Sequence, residues 1–182
     1  MATILEQLRG MTTVVSDTGD INSIKQYKPT DSTTNPSLIQ AAAGMPEYQP
    51  IVDDVLQQAR KNAGPKATDE QVAALAFKHL AVAFGKKILE IIPGRVSTEV
   101  DARISYDTQK SIETARDLIA QYESAGISRE RILIKLASTW EGIRAAEQLE
   151  KEGIDGFSKA LVDLEKTLAK RLAELSEPAA AR

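Results

Sequence analysis

The chain contains no cysteine, which excludes a disulfide framework, a thiolate metal site and a cysteine nucleophile. Its one histidine is His79, inside a predicted helix. A histidine-based metal centre or a Ser-His-Asp triad is therefore disfavoured, and a packing role suits His79 better. Charge of one sign is also lacking: 23 basic and 26 acidic residues, interleaved, leave a net −3. That gives no electrostatic footprint for nucleic acid or for an acidic membrane face. No apolar run approaches the roughly 20 residues of a membrane span. Charged and polar residues interrupt every apolar run near the start, so no signal-peptide layout is read there. The expected compartment is the cytosol, with neither a membrane nor a nucleic-acid partner.

What is present is ordinary in amount and ordered in pattern. Hydrophobic residues make up 42% and charged residues 27% of the 182 positions, enough to bury one core. Thr12–Ser16 is β-branched and runs into the polar turn Asp17–Asp20, the pattern of a strand end. Asp31–Thr34 reads as a second, weaker strand. Pro36 suits the first turn of a helix through Leu38 and Ile39. A helix from Pro46 to about Asn62 places Ile51, Val55 and Ala59 on one face. Thr68 and Gln71 form a capping box for a longer helix, with Phe77, Leu80, Phe84, Ile88 and Ile91 as its stripe and Pro93-Gly94 as its stop.

Arg95–Val100 is a third strand, and Asp107–Ser124 a helix burying Ile112, Ala115, Leu118, Ile119 and Tyr122. Arg131–Leu136 is the clearest strand. Ser138 and Glu141 are the predicted capping box of the helix that follows, through Ile143, Ala146 and Leu149. Strands alternating with helices of this length imply an α/β fold of βαβ units around a parallel sheet. From Asp155 onward the rhythm changes to one amphipathic helix, with Phe157, Leu161, Leu164, Leu168, Leu172 and Leu175 at spacings of three and four. That stripe is read as packing, and the Ala-rich end after Pro178 as a frayed tail.

In parallel α/β folds the site lies at the carboxyl ends of the strands. Here those ends hold Asp17, Thr33 and Asn35, Glu99 and Asp101, and Lys135, without a Gly-rich nucleotide loop or paired metal-ligand spacing. Strand alternation puts Lys135 on one face with Leu133, opposite Ile132 and Ile134. A lysine sheltered in a lumen is desolvated, which favours the neutral amine that attacks a carbonyl. The competing reading is a lysine ion-paired with Asp17 or Glu99 for structural reasons, and the spacing leaves both open. Glu99 on a β-branched run must work or pair to offset its burial. Asp17 reads alone as a turn residue, Thr33 and Asn35 as turn and cap residues, and Asp101 with Arg103 as a bridging pair.

Four segments resemble the bacterial-type transaldolases, the class that works through a lysine Schiff base. They are Thr-Thr-Val-Val-Ser-Asp-Thr-Gly-Asp at 12–20, Thr-Thr-Asn-Pro-Ser-Leu-Ile at 33–39, Gly-Arg-Val-Ser-Thr-Glu-Val-Asp-Ala-Arg at 94–103, and Ile-Leu-Ile-Lys-Leu-Ala-Ser-Thr-Trp-Glu-Gly-Ile-Arg-Ala-Ala at 132–146. The resemblance runs in one register to about Ile154. It implies a (β/α)8 barrel that moves a dihydroxyacetone unit from sedoheptulose 7-phosphate to glyceraldehyde 3-phosphate in the non-oxidative pentose phosphate pathway. It implies no cofactor and no metal, and commonly a homodimer. By motif position, Lys135 would form the Schiff base and Asp17 would take the proton that drives carbon–carbon cleavage. Glu99 with the Thr33 hydroxyl would hold the catalytic water, and Asn35 would bind substrate hydroxyls.

After Gln148–Ile154 the resemblance breaks. The family continues with a strand carrying an Asn-x-Thr motif, then strands bringing a serine and the arginines that clamp the sugar phosphate. Here Asp155–Lys166 instead resembles the family's last helix. The expectation is a partial TIM barrel: residues 1–154 as the front half, about four parallel strands with flanking helices, joined by an internal deletion to a C-terminal helix over 155–176 and a tail over 177–182. With the sugar-phosphate clamp absent, turnover by this chain alone is expected to be poor. Association with a second copy or with full-length subunits is the other role the pattern suggests.

Overall fold

A computed structural model of the chain describes residues 2–153 and 166–167. The predicted C-terminal helix, tail and deletion point lie outside these residues, apart from the two helical residues 166–167. Four strands, β1 (Val15–Asp17), β2 (Asp31–Thr33), β3 (Val96–Glu99) and β4 (Ile132–Lys135), form one parallel sheet in the order of the chain. The helices are α1 (Ile4–Arg9), α2 (Ile21–Tyr27), α3 (Pro36–Ala43), α4 (Gln49–Ala63), α5 (Asp69–Leu89), α6 (Thr108–Ser124) and α7 (residues 140–153). Sequential parallel neighbours joined by helical crossovers are the repeating unit of a barrel wall, here carried through four strands.

Local chemistry sets most boundaries. Thr68 and Gln71 close the expected capping box on α5, each side chain bonded to the other's backbone N–H. Asn35 caps α3 with Pro36 at its first position, and Asp107 caps α6. The predicted Ser138–Glu141 box is not what opens α7. Thr139 does this: its hydroxyl accepts from Gly142 N at 3.1 Å while donating to Ser105 O at 2.5 Å. A hydroxyl satisfied on both sides by the fold outcompetes its neighbour Ser138, which is exposed. A side chain on Gly142 would stand 1.9 Å from Ala137 O, so the chain can turn this sharply after β4 only with glycine there.

The core lies on one face of the sheet. Ser32, Val96 and Thr98 are fully buried there and Ile132 nearly so, under Ile24 of α2, Phe84 and Ile88 of α5 and Tyr122 of α6. Tyr122 is the centre of this packing. Its hydroxyl meets Thr98 Oγ1 at 2.6 Å, and burial pushes its pKa up to about 12. The ring fits because α5 carries Gly85 beneath it: a Cβ there would lie 1.9 Å from the Tyr122 hydroxyl. Tyr48 packs edge-on to Phe84, with ring centroids 5.8 Å apart, and its hydroxyl donates to Asp20 Oδ1 at 2.9 Å while accepting from Ile21 N. The Ser23 hydroxyl and these further donors hold the Asp20 carboxyl below its usual range. Arg131 binds the carbonyls of Leu89, Ile92 and Gly94, fastening the amino end of β4 to the end of α5 and the turn before β3.

Candidate active site

Strand register determines which side chains share a face. Asp17 pairs with Thr33, Thr33 with Ser97 and Ser97 with Leu133. Two residues further along, Glu99 pairs with Lys135. Laterally paired residues, and residues two apart on a strand, point the same way. Asp17, Thr33, Ser97, Glu99, Leu133 and Lys135 therefore stand together on the face opposite the core, the inner face of a barrel wall. Ser97 was not singled out from the sequence; alternation from Glu99 carried the signal.

Lys135 and Glu99 meet there. Nζ lies 3.0 Å from Glu99 Oε2 and donates to Thr34 O at 3.3 Å. Of the two partners the sequence left open, the structure selects Glu99. The lysine is less sheltered than expected, because its side chain keeps 39% exposure against 22% for Glu99. No opposing layer of side chains covers this face among the described residues. Asp17 is exposed on β1, three strand spacings of about 4.8 Å each from β4. So the structure joins Lys135 with Glu99 and the carboxyl end of β2, and leaves Asp17 at the opposite edge.

Thr33 is half-buried beside Ser97. The Asn35 carbonyl oxygen is committed to the α3 cap, accepting from Leu38 N at 3.0 Å. Its amide nitrogen and the second lone pair of that oxygen are left for a ligand. Asn35 and Glu99 also line a cleft of about 510 Å³ between α3, α5 and α6, with Phe77, Ile104 and Lys110 among its walls. Lys135, Asp17 and Thr33 do not line it, so the cleft adjoins the lysine site at Glu99 without enclosing it. Arg103 closes on Asp101 and holds its carboxyl below the usual range, as the bridging-pair reading expects. His79 Nδ1 lies 3.1 Å from Gln121 Oε1, spanning α5 and α6. Among the described residues no group of three or more His, Cys, Asp or Glu side chains is placed to hold a metal ion, and no helix is long and apolar enough to cross a membrane.

A half-buried lysine on the inner face of a parallel sheet, with a carboxylate at contact distance, can form and hydrolyse an imine. Comparisons with known proteins place the chain in a family. The family model "Transaldolase/Fructose-6-phosphate aldolase" matches residues 14–162. The chain is 66% identical over 166 residues to a protein of Nostoc punctiforme named "Transaldolase", covering 91% of this chain and 50% of that protein. It is 71% identical over 151 residues to one of the same name from Gloeobacter violaceus, 83% of this chain and 39% of that protein. A third, from Acidobacterium capsulatum, is 68% identical over 151 residues, 45% of its length. The chain thus spans half or less of the length of these curated relatives. It belongs to the transaldolase/fructose-6-phosphate aldolase family, and its described residues form four parallel strands of a partial TIM-barrel-like fold.

Proposed function

We propose that this chain carries the imine-forming part of a transaldolase site, working on sugar phosphates in the cytosol. The Lys135 amine adds to the ketone carbonyl of sedoheptulose 7-phosphate and water leaves, giving the imine. Asp17 accepts the hydroxyl proton of the carbon that becomes an aldehyde, while the adjoining carbon–carbon bond breaks and its electron pair passes into the imine. The retained dihydroxyacetone unit then adds to the aldehyde of glyceraldehyde 3-phosphate. Water held by Glu99 and the Thr33 hydroxyl releases the product, and Asn35 positions substrate hydroxyls. The observation that carries this reading is the 3.0 Å contact of Lys135 with Glu99 at the carboxyl edge of the sheet.

Imine formation and turnover separate in this chain. With Asp17 at the far edge and no arginine clamp legible in the sequence, the substrate is not held in its reactive geometry, and positioning can be worth several kcal/mol. Borohydride reduction in the presence of sedoheptulose 7-phosphate should add one reduced adduct to Lys135, identified by peptide mass. Lys135→Arg should abolish it, while a coupled assay on the unmodified chain shows transfer at or near background. An adduct that survives Lys135→Arg sinks the assignment. The second reading is a non-catalytic form that associates with a second copy or with full-length subunits; the strand edges of β1 and β4, unpaired among the described residues, favour it.

A further inference from the structure

Alternation places Thr34, the residue after β2, on the covered face with Ser32, and it is 1% exposed. Its side chain is therefore cut off from the open face where Lys135 stands. Its backbone is not. The Thr34 carbonyl accepts from Lys135 Nζ at 3.3 Å, a second acceptor beside Glu99 Oε2 at 3.0 Å. The paired register of β2 with β3 ends at Thr33 and Ser97, so this carbonyl lies just past the ladder. What steadies it is one carbonyl of β3: Ser97 O takes both the Thr34 N–H at 3.1 Å and the Thr34 hydroxyl at 3.0 Å. On the other side Asn35 is fixed as the cap of α3. The peptide group aimed at the amine is thus held from both ends.

We propose that Thr34 is a positioning residue for Lys135, its buried hydroxyl locking the backbone carbonyl that orients the amine. This rests on the imine reading. A lysine held by Glu99 alone keeps one contact and can still turn about its last bond. A neutral amine has two hydrogens and one lone pair. With one hydrogen directed to Glu99 and the other to Thr34 O, the direction of the lone pair is set before a ketone arrives. The lone pair then forms the N–C bond, and one N–H proton passes to the carbinol oxygen. With one proton from solvent, water leaves and the protonated imine keeps a single N–H. The bond-forming step is the one that depends on aim, so orientation acts on its rate. Thr34 itself does not touch the sugar. A hydroxyl that only satisfied itself on Ser97 O would affect folding and leave the amine as it was, and that difference can be measured.

The test follows the rate of adduct formation on Lys135 with cyanoborohydride and increasing sedoheptulose 7-phosphate. Thr34→Val keeps the side-chain shape and leaves Ser97 O its bond from the Thr34 N–H, so no buried acceptor is orphaned and the variant should fold. It should lower the limiting rate by about tenfold, less than the roughly 100-fold of a full 1 Å misplacement, and leave the half-saturating sugar concentration unchanged. Thr34→Ser, which keeps the hydroxyl, should return the rate to within about threefold of the unmodified chain. Circular dichroism checks folding, and Thr34→Ala, which removes the same hydroxyl with less bulk, replaces a valine variant that does not fold. Acetic anhydride reads the same hydrogen bond without a sugar. In the unmodified chain Lys135 should acetylate more slowly than the exposed Lys25 and Lys61, and Thr34→Val should quicken Lys135 alone. An unchanged limiting rate, a slow Thr34→Ser, or acetylation of Lys135 that ignores the variant overturns the proposal. Absence of any Lys135 adduct in the unmodified chain overturns the imine reading, and acetylation then decides by itself whether Thr34 anchors the amine.

Discussion

The two faces of the sheet are built from the same four strands and have opposite characters. On the helix-covered face Ser32, Val96 and Thr98 are fully buried and Ile132 nearly so; on the other, Val15 and Leu133 are 50% and 40% exposed and Lys135 stands among polar groups. Alternation along each strand separates them cleanly, so stability is concentrated on one side and the proposed chemistry on the other. The difference teaches that fold and site should respond to different mutations.

The sharpest way to break that division is on the covered face. Gly85→Ala drives a methyl into the Tyr122 hydroxyl, and overpacking of this kind costs about 1–3 kcal/mol or more; thermal melting should show it as the largest loss. Pairing it with Tyr122→Phe should give less than the sum of the two, since the nearest clashing atom is then gone. Tyr122→Phe alone leaves Thr98 buried without its partner, a loss of about 1–3 kcal/mol in denaturant titration. The same tyrosine sets an alkaline limit. Its folded pKa, about 12, lies above the ordinary tyrosine value of about 10, so its protonated form favours the fold. That contribution is complete below pH 10 and is lost as pH rises through 12, on the order of 2–3 kcal/mol in all. An alkaline melt of the wild type should fall more steeply in this window than that of Tyr122→Phe. The smallest effect belongs to the open face. Glu99→Gln removes a partly exposed ion pair and should change stability by no more than about 1 kcal/mol, while altering the yield of the Lys135 adduct. A large stability loss there would erase the contrast between the faces.

The sequence made the covered face legible wherever a single element carried the pattern. The β4 alternation, the Thr68–Gln71 box and the Val55–Ala59 stripe all stand where they were read, because each depends on neighbours a few residues away. The short helices α1 and α2 went unread: six and seven residues give too few turns for a stripe to show. The α7 cap was misplaced by one residue because Ser105, thirty-four positions earlier, decides it. The proposed site was half legible. Resemblance to the family singled out Lys135, Glu99, Asp17, Thr33 and Asn35 as candidates, but no local pattern could say that Lys135 pairs with Glu99 rather than Asp17, or that the inner face stands uncovered among the described residues. Those facts belong to strand order, which forms only when distant segments meet.

Arg131 shows how much of the architecture can rest on one side chain. A single guanidinium gathers three carbonyl oxygens from a segment some forty residues away, and its planar fork is what lets one cation reach all three. A lysine there would offer one ammonium point and abandon part of the set. The amino-terminal rim of β3 and β4 is thus anchored like a keystone from below, which frees the carboxyl-terminal rim above it to vary its loops without unseating the strands.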